Sequence, residues 1–178
     1  MALSLCDLER AARTITFVAS NTSRLMYFRG PELRPNERVL GARQIVRNHI
    51  LLIISRDGAA LCNFAAQPAT RPTTVRMARI DREMNGLFAV LRDSRFWTCD
   101  RPKLCVIVSL RNRLGTVMRD EVNRIREIML MHGEKLSSII TVSGETKGGA
   151  VKGEIWVDGR LNPPVVRIED EVQDWNIV

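Results

Sequence analysis

Few side chains in this sequence have the types and spacing that metal binding requires. Histidine occurs at His49 and His132 alone, far apart in the chain. Cys99 and Cys105 are separated by five residues, which is not the close spacing of a zinc knuckle. We therefore expect no metal site and no cofactor.

Catalytic groupings are equally scarce. No G-x-S-x-G nucleophile motif is present. The carboxylate pairs Asp81/Glu83 and Asp120/Glu121 fall in arginine-rich helical segments, so we interpret them as solvated helix faces, with Asp120 and Arg124 forming an i,i+4 ion pair. We expect a protein that is not an enzyme. The alternative, a small enzyme, would need a pocket that holds two or more of four side chains: Cys99, His49, His132 and Asp81.

A glycine-rich segment, 144–149, superficially resembles a phosphate-binding loop. It lacks the Gly-Lys-Ser/Thr ending of such loops, and a strand-like segment follows it instead of a helix. We predict an ordinary hairpin with a mobile tip, flanked by strands over 139–142 and 155–157.

Positive charge is the strongest remaining signal, and it is unevenly distributed. The chain of 178 residues carries a net charge of +7, and 23 of its 27 basic residues are arginine. Residues 1–135 hold 23 basic and 13 acidic residues, whereas residues 136–178 hold 4 and 7. Such asymmetry favours a polyanionic partner for the first three quarters of the chain.

Arginine suits phosphate because its planar guanidinium group donates two parallel hydrogen bonds. No aromatic motif for stacking bases is present, so we expect contacts to the backbone of nucleic acid, RNA more than DNA, without base reading. This interpretation requires that the arginines share one face. If they are spread around the surface, their abundance reflects composition alone. Seven arginines are predicted to contact phosphate: Arg43, Arg47, Arg76, Arg79, Arg82, Arg111 and Arg113.

The same charge also suits an anionic membrane surface. A basic domain with apolar strands can assemble in layers against a membrane, as viral matrix proteins do, although no motif here supports that family. Leu130, Met131 and Trp175 are candidates for a self-association surface. We expect a homo-oligomer.

Hydrophobic periodicity defines the elements that must position these residues. It predicts three helices, over 3–13, 75–91 and 116–132. Asp57-Gly58 lies between two apolar runs and predicts a hairpin. Residues 37–48 fit either a short helix or an extended segment. The predicted strands cover 14–19, 25–28, 50–55, 59–64, 104–110, 139–142, 155–157 and 165–168.

These elements predict an α+β fold: a single domain with a mostly antiparallel sheet of hairpins and about three helices. The domain is expected over 1–168, followed by an acidic C-terminal tail over 169–178. The segment from 104 to 139 is expected to form one parallel crossover.

Compartment is predicted from what the sequence lacks. No apolar run is long enough to span a membrane, and residues 1–13 do not have the pattern of a signal peptide. We therefore expect a cytoplasmic or nuclear protein with reduced cysteines, among which Cys62 and Cys105 are buried.

Overall fold

A computed structural model describes residues 15–30, 38–43, 48–65, 70–94, 96, 104–111, 119–134, 138–143, 145–146, 149–150, 153–168 and 171–175, with the backbone alone at 109–111 and 138–150. These residues form two helices and twelve strands. The helices are α1 (Thr73–Arg92) and α2 (Arg119–Met131). The strands are β1 (Ile15–Val18), β2 (Thr22–Tyr27), β3 (Val39–Arg43), β4 (Asn48–Ser55), β5 (Gly58–Ala65), β6 (Leu104–Arg111), β7 (Ser138–Ser143), β8 (Glu145–Thr146), β9 (Gly149–Ala150), β10 (Glu154–Asp158), β11 (Val165–Ile168) and β12 (Glu171–Gln173).

Two five-stranded sheets and a layer of helices make up the structure. The central sheet has the order β2-β5-β4-β6-β7, and the outer sheet has the order β1-β3-β10-β11-β12. Neighbouring strands are antiparallel except in the pairs β1–β3 and β6–β7. The predicted α+β class with mostly antiparallel pairing is confirmed. The expected parallel crossover is also present, because α2 connects β6 to β7.

Strand β4 shows why the layers stack in this order. All eight of its residues are buried, as expected for a strand whose two faces are both covered. Ile50, Leu52 and Ile54 pack into the core shared with the outer sheet. Leu51 and Ile53 alternate with them and pack against the helices. The central sheet is therefore the middle layer.

The two helices run parallel on the central sheet. Contacts pair the start of α1 with the start of α2 and the end of α1 with the end of α2: Arg76 meets Asp120, Arg124 meets Asp81, and the Phe88 ring stacks on His132 at 3.7 Å. Both helices therefore begin at the same end of the sheet.

The hairpin between β4 and β5 confirms the prediction from Asp57-Gly58. Its two-residue turn is Arg56-Asp57, and Gly58 already pairs with Ser55. A Cβ atom on Gly58 would lie 2.6 Å from the carbonyl oxygen of Met26, so the neighbouring strand requires glycine there.

The predicted hairpin between 139–142 and 155–157 is wrong. Strand β7 pairs with β6 in the central sheet, whereas β10 pairs with β3 and β11 in the outer sheet. The chain therefore crosses from the central sheet to the outer sheet between β7 and β10. Each of these strands pairs with segments that are distant in the sequence. Among the described residues between β7 and β10, the two-residue strands β8 and β9 pair with each other.

Other predictions have mixed outcomes. The helix expected over 3–13 lies outside the described residues, and the ambiguous segment 37–48 contains β3. The segment expected to be an acidic tail contributes β12, and Trp175 packs against the inter-sheet core. Cys62 and Cys105 are buried, as predicted, while Cys6 and Cys99 lie outside the described residues. In the part of the chain that is described, no helix is long and apolar enough to cross a membrane.

Two glycines are expected to respond in opposite ways to alanine. A Cβ atom on Gly159 would lie 2.0 Å from the buried Phe28 ring, whereas one on Gly86 meets nothing within 4 Å. Gly159→Ala is expected to lower the free energy of unfolding by about 1–3 kcal/mol through overpacking. Gly86→Ala is expected to raise it by about 0.5–1 kcal/mol, because glycine disfavours a helix interior. Urea unfolding measures both, and changes of the same sign would contradict this packing.

Candidate functional site

A buried charged cluster lies where the first turns of both helices meet β4. Its centre is the carboxylate of Glu121, whose side chain is 0% exposed. Glu121 Oε2 lies 3.1 Å from Nε2 of His49 and 3.9 Å from Nη2 of Arg79, and Oε1 lies 3.6 Å from Nη1 of Arg76. We call these four residues the Glu121 cluster.

Local periodicity explains how these residues reach the interior. His49 lies on β4 at the same parity as Leu51, so it faces the helices. Arg76 lies one turn before Ile80 on the buried stripe of α1, and Glu121 lies one turn before Ile125 on that of α2. Each charged residue thus extends an apolar stripe toward the helix start.

One expectation about these residues is wrong, because Glu121 does not lie on a solvated helix face. Arg76, one of the arginines predicted to contact phosphate, also lies on the buried stripe of its helix. The sequence signal that identifies them is the i,i+4 spacing to Ile80 and Ile125. Charge alone suggested exposure, but the neighbouring elements supply opposite charges that make burial tolerable.

Polar neighbours hold the arginines of the Glu121 cluster in place. Arg76 Nη2 donates to Oδ2 of Asp120 at 3.1 Å and to Oγ1 of Thr73 at 3.3 Å. Arg79 Nη1 donates to Oδ1 of Asn21 at 2.6 Å. Asn21 has a φ of 59°, a left-handed conformation that asparagine tolerates better than most residues. The turn between β1 and β2 is thereby fixed to α1.

Charges within this region are balanced. Burial lowers the pKa of Arg79, while the carboxylates of Glu121 and Glu83 oppose that change. An arginine remains protonated at neutral pH. Arg76 and Arg79 therefore match the two negative charges of Asp120 and Glu121, and their guanidinium groups bind internal partners.

The structure does not place the seven predicted arginines on one face. Arg43 lies on the outer sheet, at the same parity as Val39 and opposite to the core residue Leu40. Its guanidinium group lies 3.8 Å from the centre of the Phe17 ring and pairs with Glu154 at 3.6 Å. Both sheets separate this face from the helices, so Arg43 cannot share a surface with α1.

The other predicted arginines are distributed as follows. Arg76 and Arg79 meet at Glu121, and Arg82 is exposed on α1, where its Nη2 donates to Oε1 of Glu83 at 3.2 Å. Arg111 ends β6, and its backbone pairs with Ser143. Arg47 and Arg113 lie outside the described residues.

An open groove of about 410 Å³ lies between α1 and α2. Arg124 spans it, with Nε 2.7 Å from Oδ1 of Asp81 and Nη1 3.1 Å from Oε2 of Glu127. The expected ion pair between Asp120 and Arg124 is therefore replaced by pairs between Arg124 and these two acids. Hydrogen bonds that Arg124 donates to the carboxylates of Asp81 and Glu127 raise its pKa. The groove is lined by Met77, Asp81, Asp120, Asn123, Arg124 and Glu127, so three acids face one arginine.

The side chains named for the enzyme alternative do not come together. His49 belongs to the Glu121 cluster, Asp81 lines the groove, and His132 stacks on Phe88 at the far end of the helices. Cys99 lies outside the described residues. The described side chains include no group of three or more that would hold a metal ion.

Internal pairing leaves a surplus of arginine on the helix layer. Every acid of the two helices lies within 3.6 Å of a guanidinium nitrogen. Six exposed arginines pair with no acid among the described residues. Two of them, Arg24 and Arg56, belong to β2 and to the turn between β4 and β5. The other four, which we call the surplus arginines, lie on or just before the helices: Arg71, Arg92, Arg119 and Arg126.

Comparison with known proteins identifies no family for this chain. No protein-family model matches the chain, and no curated protein matches it.

Replacement of Glu121 is expected to destabilise the fold strongly. Glu121→Gln leaves Arg76 and Arg79 buried without their shared counter-charge, which typically costs about 3–5 kcal/mol. The matched control is Glu127→Gln, since the side chain of Glu127 is 61% exposed and a surface ion pair contributes roughly 0–1 kcal/mol. Urea unfolding compares the two variants, and equal losses would rule out the Glu121 cluster as a structural anchor.

The thiol of Cys62 is expected to resist alkylation in the native protein. Burial raises its pKa, the nearby carboxylate of Glu83 raises it further, and only the thiolate reacts. Iodoacetamide at mildly alkaline pH should modify Cys62 only after unfolding in urea, as peptide mass mapping would show. Rapid native modification would place this thiol nearer the surface than the structure does.

Proposed function

We propose that the protein is a non-catalytic binder of nucleic acid, RNA in the first instance, and that its helix layer contacts the phosphate backbone. The seven predicted arginines do not share one face, so they do not carry this proposal. The observation that carries it is the separate set of surplus arginines on the helix layer.

Four other arginines pair with the five acids of both helices and leave one negative charge unmatched. The four surplus arginines exceed this remainder, so the helix layer offers positive charge to an external anion. Asp93, just beyond α1, is an exposed acid next to Arg92. The surplus arginines outnumber it, so the surface that they form keeps a net positive charge.

The spacing of the surplus arginines favours a polymer over a compact anion. Arg71 precedes α1 and Arg92 ends it. A helix of 20 residues is about 30 Å long, so these two charges lie too far apart to bind one phosphate group. Arg119 and Arg126 extend the charge onto α2. A chain of phosphates is the ligand that matches charges spread over this distance.

Base recognition has no support on this surface. The only aromatic side chain within the described α1 and α2 is Phe88, and it is buried. Binding of single strands by base stacking needs exposed rings. The proposal is therefore restricted to backbone contacts, which carry no sequence preference of their own.

Binding to single-stranded RNA is expected to weaken steeply with salt. If the four surplus arginines each neutralise one phosphate, the slope of log K against log salt is roughly −3. Changing all four to glutamine should bring the slope close to zero and remove most of the affinity. Fluorescence anisotropy with a labelled oligonucleotide measures both quantities.

The matched control removes the same charge elsewhere. Arg24, Arg29, Arg56 and Arg160 are exposed and lie outside the helix layer, so their joint replacement by glutamine should preserve most of the slope. Loss of affinity equal to that of the helix variant would contradict the proposed surface. Absence of RNA binding at low salt would overturn the function itself.

An anionic membrane surface is a second candidate, and a separate observation favours it. Val90, Leu130 and Met131 are large apolar residues exposed on the same helix layer, which suits insertion between lipid headgroups. Flotation with anionic liposomes tests it. Leu130→Ser with Met131→Ser should abolish flotation if the membrane is the partner and should leave RNA binding unchanged if it is not.

A further inference from the structure

Strand β7 forms one edge of the central sheet in the part of the chain that the structure describes. It is the last strand in the order β2-β5-β4-β6-β7, and within the described residues no strand pairs with its outer side. Alternate N–H and C=O groups of an edge strand point away from the sheet. In β7 these groups are available to another strand.

The composition of β7 sets it apart from the other sheet edges. Its sequence, Ser-Ile-Ile-Thr-Val-Ser, contains no charged residue, glycine or proline. At the other edges, β2 carries Arg24, β12 is three residues long with Glu171, and β1 is only four residues long. Charge and short length are the usual devices that prevent edge-to-edge pairing, and β7 has neither.

We propose that β7 pairs with β7 of a second copy of this chain, antiparallel about a two-fold axis at Thr141. The two central sheets then form one sheet of ten strands. In this register Thr141 lies opposite Thr141, and Ile140 lies opposite Val142. These are β-branched pairs, which stabilise sheets, and an uncharged strand meets its own copy without repulsion. A two-fold contact of this kind closes at the dimer.

The proposed dimer unites the helix layers. A two-fold axis perpendicular to the sheet keeps the helices of both copies on the same side. α1 contacts β2 and β5, whereas α2 connects β6 to β7 and so belongs to the half of the sheet nearer the axis. Arg119 and Arg126 lie roughly half a turn around α2 from Arg124, which binds α1. Their repulsion across the axis should weaken the dimer at low salt.

Sedimentation velocity at increasing protein concentration tests the proposal. The wild-type chain is expected to dimerise, more tightly as salt rises. Thr141→Lys places two charges opposite each other and should weaken the dimer by at least about tenfold. The matched control is Val172→Lys on β12, an exposed residue at an edge outside the interface, which should leave the dimer intact. A monomeric wild type, open-ended aggregates or a Thr141→Lys variant that still dimerises would each overturn the proposal.

A second variant keeps the test decisive if Thr141→Lys fails to fold. Directly opposed residues of antiparallel strands have Cα atoms about 4.5–5.5 Å apart, which is within disulfide range. Thr141→Cys should therefore form a covalent dimer under oxidised glutathione, whereas Val172→Cys and the wild type should not. Absence of the covalent dimer from folded Thr141→Cys would overturn the register.

The idea that the dimer joins two RNA-binding helix layers rests on the proposed function, whereas the dimer itself does not. A monomer that binds RNA would overturn the dimer alone. A dimer that ignores RNA would overturn the proposed function alone.

Discussion

Burial of β4 on both faces is the constraint from which the rest of the structure follows. A strand of eight buried residues needs apolar cover above and below, since an uncovered face would leave isoleucine and leucine in water. The helices cover one face and the outer sheet covers the other. Three layers result, and the helix layer carries the Glu121 cluster, the groove and the surplus arginines.

Covering β4 also brings polar groups inside, and they gather at one end of the sheet. Asn48 Nδ2 donates to Oδ1 of Asn63 and to Oγ of Ser20, while Asn63 Nδ2 donates to the carbonyl oxygen of Val18. His49, the next residue, meets Glu121. This end therefore holds an amide network between the sheets and a charged cluster beneath the helices. Such networks fix a single arrangement of neighbouring elements when their members are paired.

Pairing of charges inside the helix layer determines which arginines face outward without an acid. Glu121 binds Arg76 and Arg79, and Asp81 binds Arg124. The acids are used in holding α1 to α2, so positive charge remains at the periphery of the layer. The same internal pairing that stabilises the helix pair thus produces the surface proposed to bind a polyanion, and the open edge of β7 would bring two such surfaces together.

Local signals in the sequence determined most elements of the described fold. The apolar run at 50–55, the strand at 104–110 and the helical period over 75–91 are all found, because periodicity depends on residues close together in the chain. The sequence also indicated the surplus of arginine and the absence of metal-binding spacing. Phosphate contacts at the seven predicted arginines stay a prediction.

Tertiary structure alone decided which strands pair and which charges are buried. β7 and β10 lie close in the sequence yet belong to different sheets, because strand pairing is chosen among distant segments. Glu121 and Arg76 are buried because each finds the other across 45 positions, and Arg43 faces away from the helices because β3 joins the outer sheet. Charge is a property of a residue, whereas burial of that charge depends on a partner that local sequence cannot specify.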